Sequence, residues 1–274
     1  LLTQGHRVDD VRESVLVALR RHRQHRVGRL VVHDVCRRRR PGDGHRGVRG
    51  VADLGLHRLG GFQQQAFDVL LKGVARAFDL GQETPETLAR YDTSMMETTD
   101  AVKKRNSYGA MFSPVALGRQ MLFARRLIES GCGFVTVGNG GWDMHGGGKE
   151  FRVDDGLATL LPAVDKAASA FIEDIRQRGL TERVLLVITG EFGRTPGISA
   201  EGGRQHWPFC YSVVMAGAGI RGGEIFGASD SKAGYPARDA VSPFDIGASI
   251  FHLLGIDVTG VFHDFLGRPH RVCK

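Results

Sequence analysis

The stretch "RVLLVIT", Arg183–Thr189, decides how the chain is read. It holds five consecutive apolar residues and no glycine or proline, the pattern of a strand covered on both faces. Upstream, "GFVTVG", Gly133–Gly138, reads as a second, shorter buried strand. Between them, residues 156–178 carry Leu157, Leu161, Val164, Ala168, Phe171 and Ile175 in helical register, and Gly179 ends the run. Before the first strand, residues 114–130 form an amphipathic helix with Leu117, Met121, Ala124 and Ile128 on one face and Gly131 at its end. Strand, helix, strand predicts a right-handed parallel crossover. Both loops leaving the strand carboxyl ends, 138–148 and 190–208, then share one sheet edge, where open α/β sheets bind ligands. A strand at Tyr211–Ala216 and a helix near Pro243–Leu254 complete an α/β fold with a mainly parallel sheet flanked by helices.

Those two loops hold the chemistry. The first, "NGGWDMHGGG", Asn139–Gly148, sets Asp143 and His145 among five glycines. The second, "TGEFGRTPGISAEGGRQHWP", supplies Glu191, Arg194 and His206. Carboxylates and imidazoles are the mixed N/O ligand set of zinc first, with manganese or iron as alternatives. Arg194 offers a planar fork for phosphate or sulfate oxygens. Each residue also has a plain structural reading: Asp143 in an Asx-turn, His206 packed beside Trp207, Glu191 paired with Arg194. What raises them above that reading is that all fall at strand carboxyl ends on one edge.

Other motifs lead nowhere. "GAGIRG", Gly217–Gly222, fits G-x-G-x-x-G after a strand, but the residues that follow are too rich in glycine and proline to open a helix, so it reads as a turn. "HGGGKE" has Asp143 where a phosphate loop needs its leading glycine and Glu150 where it needs Ser or Thr. No G-x-S-x-G elbow occurs. The four cysteines form no Cys-x-x-Cys pair, which argues against a thiolate zinc site.

The net charge of +7 is unevenly spread. Residues 1–61 hold 14 Arg, no Lys and 6 acids, which leaves 23 basic and 24 acidic groups in 62–274. The same 61 residues lack Phe, Tyr, Trp, Ile, Met and Asn, and hold six of the eleven His. Such a composition buries too little to offset chain entropy. We therefore expect 1–61 to be a poorly structured, non-native leader, such as a gene start read in the wrong frame, with a basic arm for nucleic acid as the other reading. A short helix could be drawn at Val11–Arg21. From Phe62 the chain becomes ordinary: Ala66, Phe67, Val69, Leu70, Val74, Ala77 and Phe78 recur at helical spacing, and 82–113 reads as loop with short helical pieces. No nucleic-acid partner is expected for 62–274, and no apolar run nears the 18 residues of a membrane span.

Several stretches together resemble the bacterial domain of unknown function 1501 family: "ARRLIESGCGFVTVGNGGWDMHG", "VLLVITGEFGRTP", "GGRQHWP", "AGAGIRGG" and "LGRPH". The resemblance runs from about Phe62 to the end. It implies an alkaline phosphatase and sulfatase type of fold, of which 62–274 would be the carboxyl-terminal part. The amino-terminal half would then carry the nucleophile and a further metal-binding Asp. It implies a metal site at Asp143, His145 and His206, and places Glu191 where relatives carry an Asp-His pair. Phe192 follows Glu191 instead of His, and Gln205 stands where an acid is expected, which puts a second metal in doubt. The implied activity is metal-dependent hydrolysis of small phosphate or sulfate esters, with Glu191 and Arg194 in catalytic roles, incomplete and inactive in this chain. The alternative is a non-catalytic exported binding protein on the same fold. A twin-arginine export signal in family members implies the periplasm. The oligomeric state is left open.

Overall fold

The computed structural model describes residues 15–20, 74–106 and 113–273. Its main sheet has four strands: β1 (Val15–Arg20), β2 (Phe134–Gly138), β3 (Val184–Thr189) and β6 (Val214–Gly217), in the order β2-β1-β3-β6. Every paired neighbour is antiparallel. This corrects the expected mainly parallel sheet. The expectation assumed that β2 and β3 are neighbours. Instead β1 lies between them, with Val15 opposite both Gly138 and Thr189, and Leu19 opposite both Phe134 and Leu185. Because β2 and β3 each run opposite to β1, they still run the same way as each other. Both of their carboxyl ends therefore meet the same edge.

Within the leader, Val15–Arg20, "VLVALR", is a strand where a short helix could be drawn from sequence. The rest of 1–61 lies outside the described residues, as do 62–73 of the expected helical run. Within that run, α1 (Val74–Ala77) is helical. Short pieces follow as anticipated: a 3₁₀ turn at Leu80–Gln82, α2 (Pro85–Arg90) capped by Thr84, and α3 (Asp100–Arg105) capped by Thr99.

A 3₁₀ turn at Pro114–Ala116 leads into α4 (Leu117–Glu129), whose Leu117, Met121, Ala124 and Ile128 are all buried. Gly131 follows at φ 111°, the conformation that releases the chain toward β2. The long α5 (Val153–Gln177) packs beside α4: Phe171 and Ile175 are buried as expected and Val164 packs against the core, but the first half of the helix is turned from the expected face. Its buried stripe is Gly156, Leu160, Ala163, Ala167, Ala170, Phe171, Asp174 and Ile175, while Leu157 and Leu161 remain 37% and 45% exposed. Alanines at the contact let two helices approach closely, and that outweighs the larger apolar residues on the neighbouring stripe.

β3 is covered on both faces, as its composition requires. Val184 and Leu186 join the core built from α4 and α5. Leu185 and Val187 face the other way, against Met215 and against Ile250, Leu253 and Leu254 at the end of α6 (Pro243–Leu253) and just beyond. β2, expected to be buried, is a sheet edge whose only buried residue is Val137. The remaining strands are three short ladders: β4 (Gly193–Arg194) with β5 (His206–Trp207), β7 (Ala228–Ser229) with β8 (Pro236–Arg238), and β9 (Val261–His263) with β10 (Pro269–Arg271). The G-x-G-x-x-G stretch opens no helix: it closes β6 in a turn with Gly217, Ala218 and Gly219 all at positive φ.

A buried ionic cluster fastens residues 83–91 to the helix pair. Arg125 Nη2 meets Glu83 Oε2 at 2.6 Å, its Nη1 meets Glu129 Oε2 at 2.7 Å, and its Nε meets Asp174 Oδ2 at 2.9 Å. Tyr91 Oη donates to the same Asp174 oxygen at 3.1 Å. Burial works against the Arg125 charge, but its bonds to Glu83 and Glu129 prevail and hold its pKa above the usual value. Burial likewise raises the Tyr91 hydroxyl pKa, with the Asp174 charge adding to it.

Candidate metal centre

The glycine loop leaves the carboxyl end of β2, and the β4–β5 hairpin leaves that of β3. "WDMH" is an alternating stretch. Trp142 and Met144 pack inward with Phe151, Leu160, Val102 and Val153, which leaves Asp143 and His145 on the opposite side. Trp142 Nε1 also donates to Asn139 Oδ1 at 3.1 Å.

The two loops touch backbone to backbone, and this explains the glycines. A Cβ on Gly203 would lie 1.7 Å from the carbonyl oxygen of His145. One on Gly146, which sits at φ +78°, would lie 2.5 Å from the nitrogen of Gly203. No residue with a side chain fits either place. Main-chain bonds then stitch the contact, Arg204 N to Met144 O at 2.9 Å and Val153 N to Gly202 O at 2.9 Å, while Gly146 N to Phe151 O at 3.0 Å closes the first loop on itself.

Across β4–β5, Arg194 stands directly opposite His206, so both side chains project on one face. Asp143 is the centre. Its Oδ1 lies 2.6 Å from His145 Nε2 and 2.9 Å from His206 Nε2, and it accepts from Arg194 Nη1 as well. One ligand atom from each of Asp143, His145 and His206 lies within 4.8 Å of the others. The two imidazole rings are 4.9 Å apart, and Phe192 lies 4.4 Å from His206 and 5.4 Å from the Arg194 guanidinium carbon. Asp143, His145 and Arg194 are mostly covered, while the His206 side chain is 51% exposed, so the cluster opens on the His206 side. Burial would raise the Asp143 carboxyl pKa, but the hydrogen bonds from Arg194 and His206 and the Arg194 charge outweigh it and hold it below the usual range. His145 Nδ1 is buried with no hydrogen-bond partner among the described residues.

Of the residues singled out from sequence, Asp143, His145, His206 and Arg194 meet at one carboxylate oxygen. Glu191 does not join the three possible ligands; its Oε1 reaches Arg194 Nη2 at 3.8 Å. Gln205 is exposed, and its backbone N–H goes to Thr195 Oγ1. Sequence reasoning had not singled out the Gly146–Gly203 contact, the packing role of Met144 or the ring contact of Phe192 with His206. The apolar–polar alternation in "WDMH" and the paired glycines in "EGGRQH" were the available signals.

The family model described as "Protein of unknown function (DUF1501)" matches residues 45–274, most of the chain. The chain belongs to the DUF1501 family. No curated protein and no solved structure matches it. The DUF1501 match begins at residue 45, inside the segment with the anomalous composition, and it includes both loops of the cluster. Among the described residues no helix is long and apolar enough to cross a membrane, and Cys132, Cys210 and Cys273 are free.

Proposed function

We propose that Asp143, His145 and His206 hold a divalent metal ion, zinc first, and that the centre hydrolyses small phosphate or sulfate esters. The observation that carries this reading is the convergence of one carboxylate and two imidazoles within 4.8 Å, with a guanidinium on the same oxygen. The donor set suits such an ion in kind and number. A bound ion would act as a Lewis acid and lower the pKa of its water toward roughly 7.

The chain's own groups take definite parts. Asp143 and His145, on the packed loop, fix the floor of the site. His206, on the open side, is the donor nearest to an incoming ester. Arg194 is the anion-binding fork, with Glu191 beside it to orient the guanidinium or a water. Phe192 shields one flank of His206 from solvent. We further propose an alkaline-phosphatase or sulfatase type of fold and export to the periplasm, on the strength of the family resemblance.

A second reading, a non-catalytic exported binding protein, has its own support. Among the described residues no hydroxyl or thiol is hydrogen-bonded to Asp143, His145 or His206, so the cluster offers no nucleophile. Metal stoichiometry by mass spectrometry, with turnover of aryl phosphates and aryl sulfates, separates the readings. Hydrolysis with about one ion per chain, both abolished in an Asp143→Ala, His206→Ala double variant, supports the hydrolase. An ion without turnover supports the binding protein, and turnover unchanged in the double variant removes the site altogether.

A further inference from the structure

We propose that Arg194 is a resident counter-ion for Asp143 which gives way to a divalent cation and is captured by a tetrahedral oxyanion, so that cation and oxyanion bind with positive cooperativity. This rests on the metal reading above.

The argument starts from a single atom. Arg194 Nη1, His145 Nε2 and His206 Nε2 all converge on Asp143 Oδ1. The imidazoles can keep their positions near an ion, because a ring nitrogen is a ligand. A guanidinium cannot: it has five N–H donors, no acceptor and a permanent charge. An ion at roughly 2.0–2.2 Å from Oδ1 would place two like charges side by side in a mostly covered site, where their repulsion is several times stronger than in water. Arg194 is thus the one member of the cluster that must leave.

It has somewhere to go. Arg194 Nη2 is already 3.8 Å from Glu191 Oε1, so a modest side-chain rotation brings a second carboxylate into reach. The Phe192 ring, 5.4 Å from the guanidinium carbon, gives the side chain a surface to turn over. The backbone stays fixed meanwhile, since Arg194 pairs with His206 across the hairpin and its carbonyl accepts from Arg204 Nη2 at 3.1 Å. Charge sets the direction of coupling. Asp143 and Arg194 together are neutral, and a divalent ion adds two positive charges. A dianion such as sulfate offsets them and gives the released fork a bidentate partner. Coupling of this kind is reciprocal: each ligand tightens the other by the same factor.

The test titrates Mn²⁺ into the full chain by calorimetry, with and without sulfate at ionic strength matched with chloride, for wild type, Arg194→Gln and Arg194→Lys. Melting curves establish that each variant is folded. Wild type should bind Mn²⁺ at least about fivefold tighter when sulfate is present. Arg194→Gln should bind it at least about fivefold tighter than wild type without sulfate and show no sulfate response. Arg194→Lys, which keeps the charge but not the fork, should retain a reduced response. Equal Mn²⁺ affinity in wild type and Arg194→Gln overturns the counter-ion role while leaving the metal site standing. A sulfate response that survives in Arg194→Gln overturns the exchange. Absence of Mn²⁺ and Zn²⁺ binding in all three proteins removes the metal reading, and this proposal with it.

Discussion

Two regions of this chain are held together by different physics. The layer made by α4, α5 and β3 is held by burial: Leu160, Phe171, Leu185 and Leu186 are wholly enclosed, and its one large polar group, Arg125, is fully paired. The stretch from 221 to 273 fully buries almost no side chain, although Ile250, Leu253 and Leu254 lie half-buried against β3. Ile225 and Phe265 are 92% and 93% exposed, and α6 has no buried residue. What shapes that stretch is a series of short-range bonds to carboxylates. Asp230 accepts from the backbone of Lys232, Gly234 and Tyr235, Asp245 forms a capping box with Ser242, and Asp264 accepts from Leu266 N, Arg268 N and Arg268 Nε. Local hydrogen bonds are worth little net in water, whereas burial accumulates. The first region should therefore answer to lost volume and lost partners, and the second to lost acceptors and to pH.

The largest effects should come from the first region. Arg125→Ala removes the buried cation shared by Glu83, Glu129 and Asp174, leaving Arg126 and Arg178 to hold Glu83 and Asp174, and should still cost about 3 kcal/mol, read as a shift in the urea midpoint. Phe171→Ala should cost a similar amount through its cavity, about 3–5 kcal/mol. If either leaves the midpoint unmoved, the description of this region as the stabilising one is wrong. Next comes Gly203→Ala, where a Cβ 1.7 Å from the His145 carbonyl forces the loops apart. It should cost about 1–3 kcal/mol and weaken Mn²⁺ binding well beyond what that loss of stability explains. In the second region Ser242→Ala removes a helix cap and should cost about 1 kcal/mol, seen as faster amide exchange confined to the start of α6.

The smallest effect is local and depends on pH. Backbone donation from Arg268 is the main influence holding the Asp264 carboxyl near 2 instead of its ordinary 3.8, and Asp230 is lowered chiefly by the Gly234 amide. A lowered folded value means that the contribution is full above about 3.8 and is lost as pH falls toward about 2. Amide exchange followed from pH 5 down to pH 2 should show protection lost at 230–235 and 264–268 while Val184–Thr189 keeps its own. Simultaneous loss in both places would erase the distinction between the regions.

The same distinction explains what could be read from sequence. The α4 face, the doubly covered β3 and the shared edge for Asp143 and His206 follow from local periodicity and from the direction of the chain. Strand order does not: nothing in "GFVTVG" or "RVLLVIT" says that Val15–Arg20 lies between them, because pairing is decided by long-range competition for backbone partners. The α5 face is legible at Phe171 and Ile175 but not at Leu157 and Leu161, because two adjacent stripes are both apolar and close packing on alanine is a property of the pair of helices. Glu191 sits in the right loop and reads equally as a partner of Arg194 or as a ligand; only the side-chain positions, which depend on how the two loops meet, place it beside Arg194 and outside the group of three.

The crossing of Gly146 and Gly203 has a consequence for tuning. The distance between the two halves of the centre is set by main chain on main chain, like two plates bolted face to face, and owes nothing to the length of any donor. Substituting one ligand type for another at positions 143, 145 or 206 therefore changes the chemistry on a mount that does not move. An ion of the kind proposed would meet a changed donor set at an unchanged spacing.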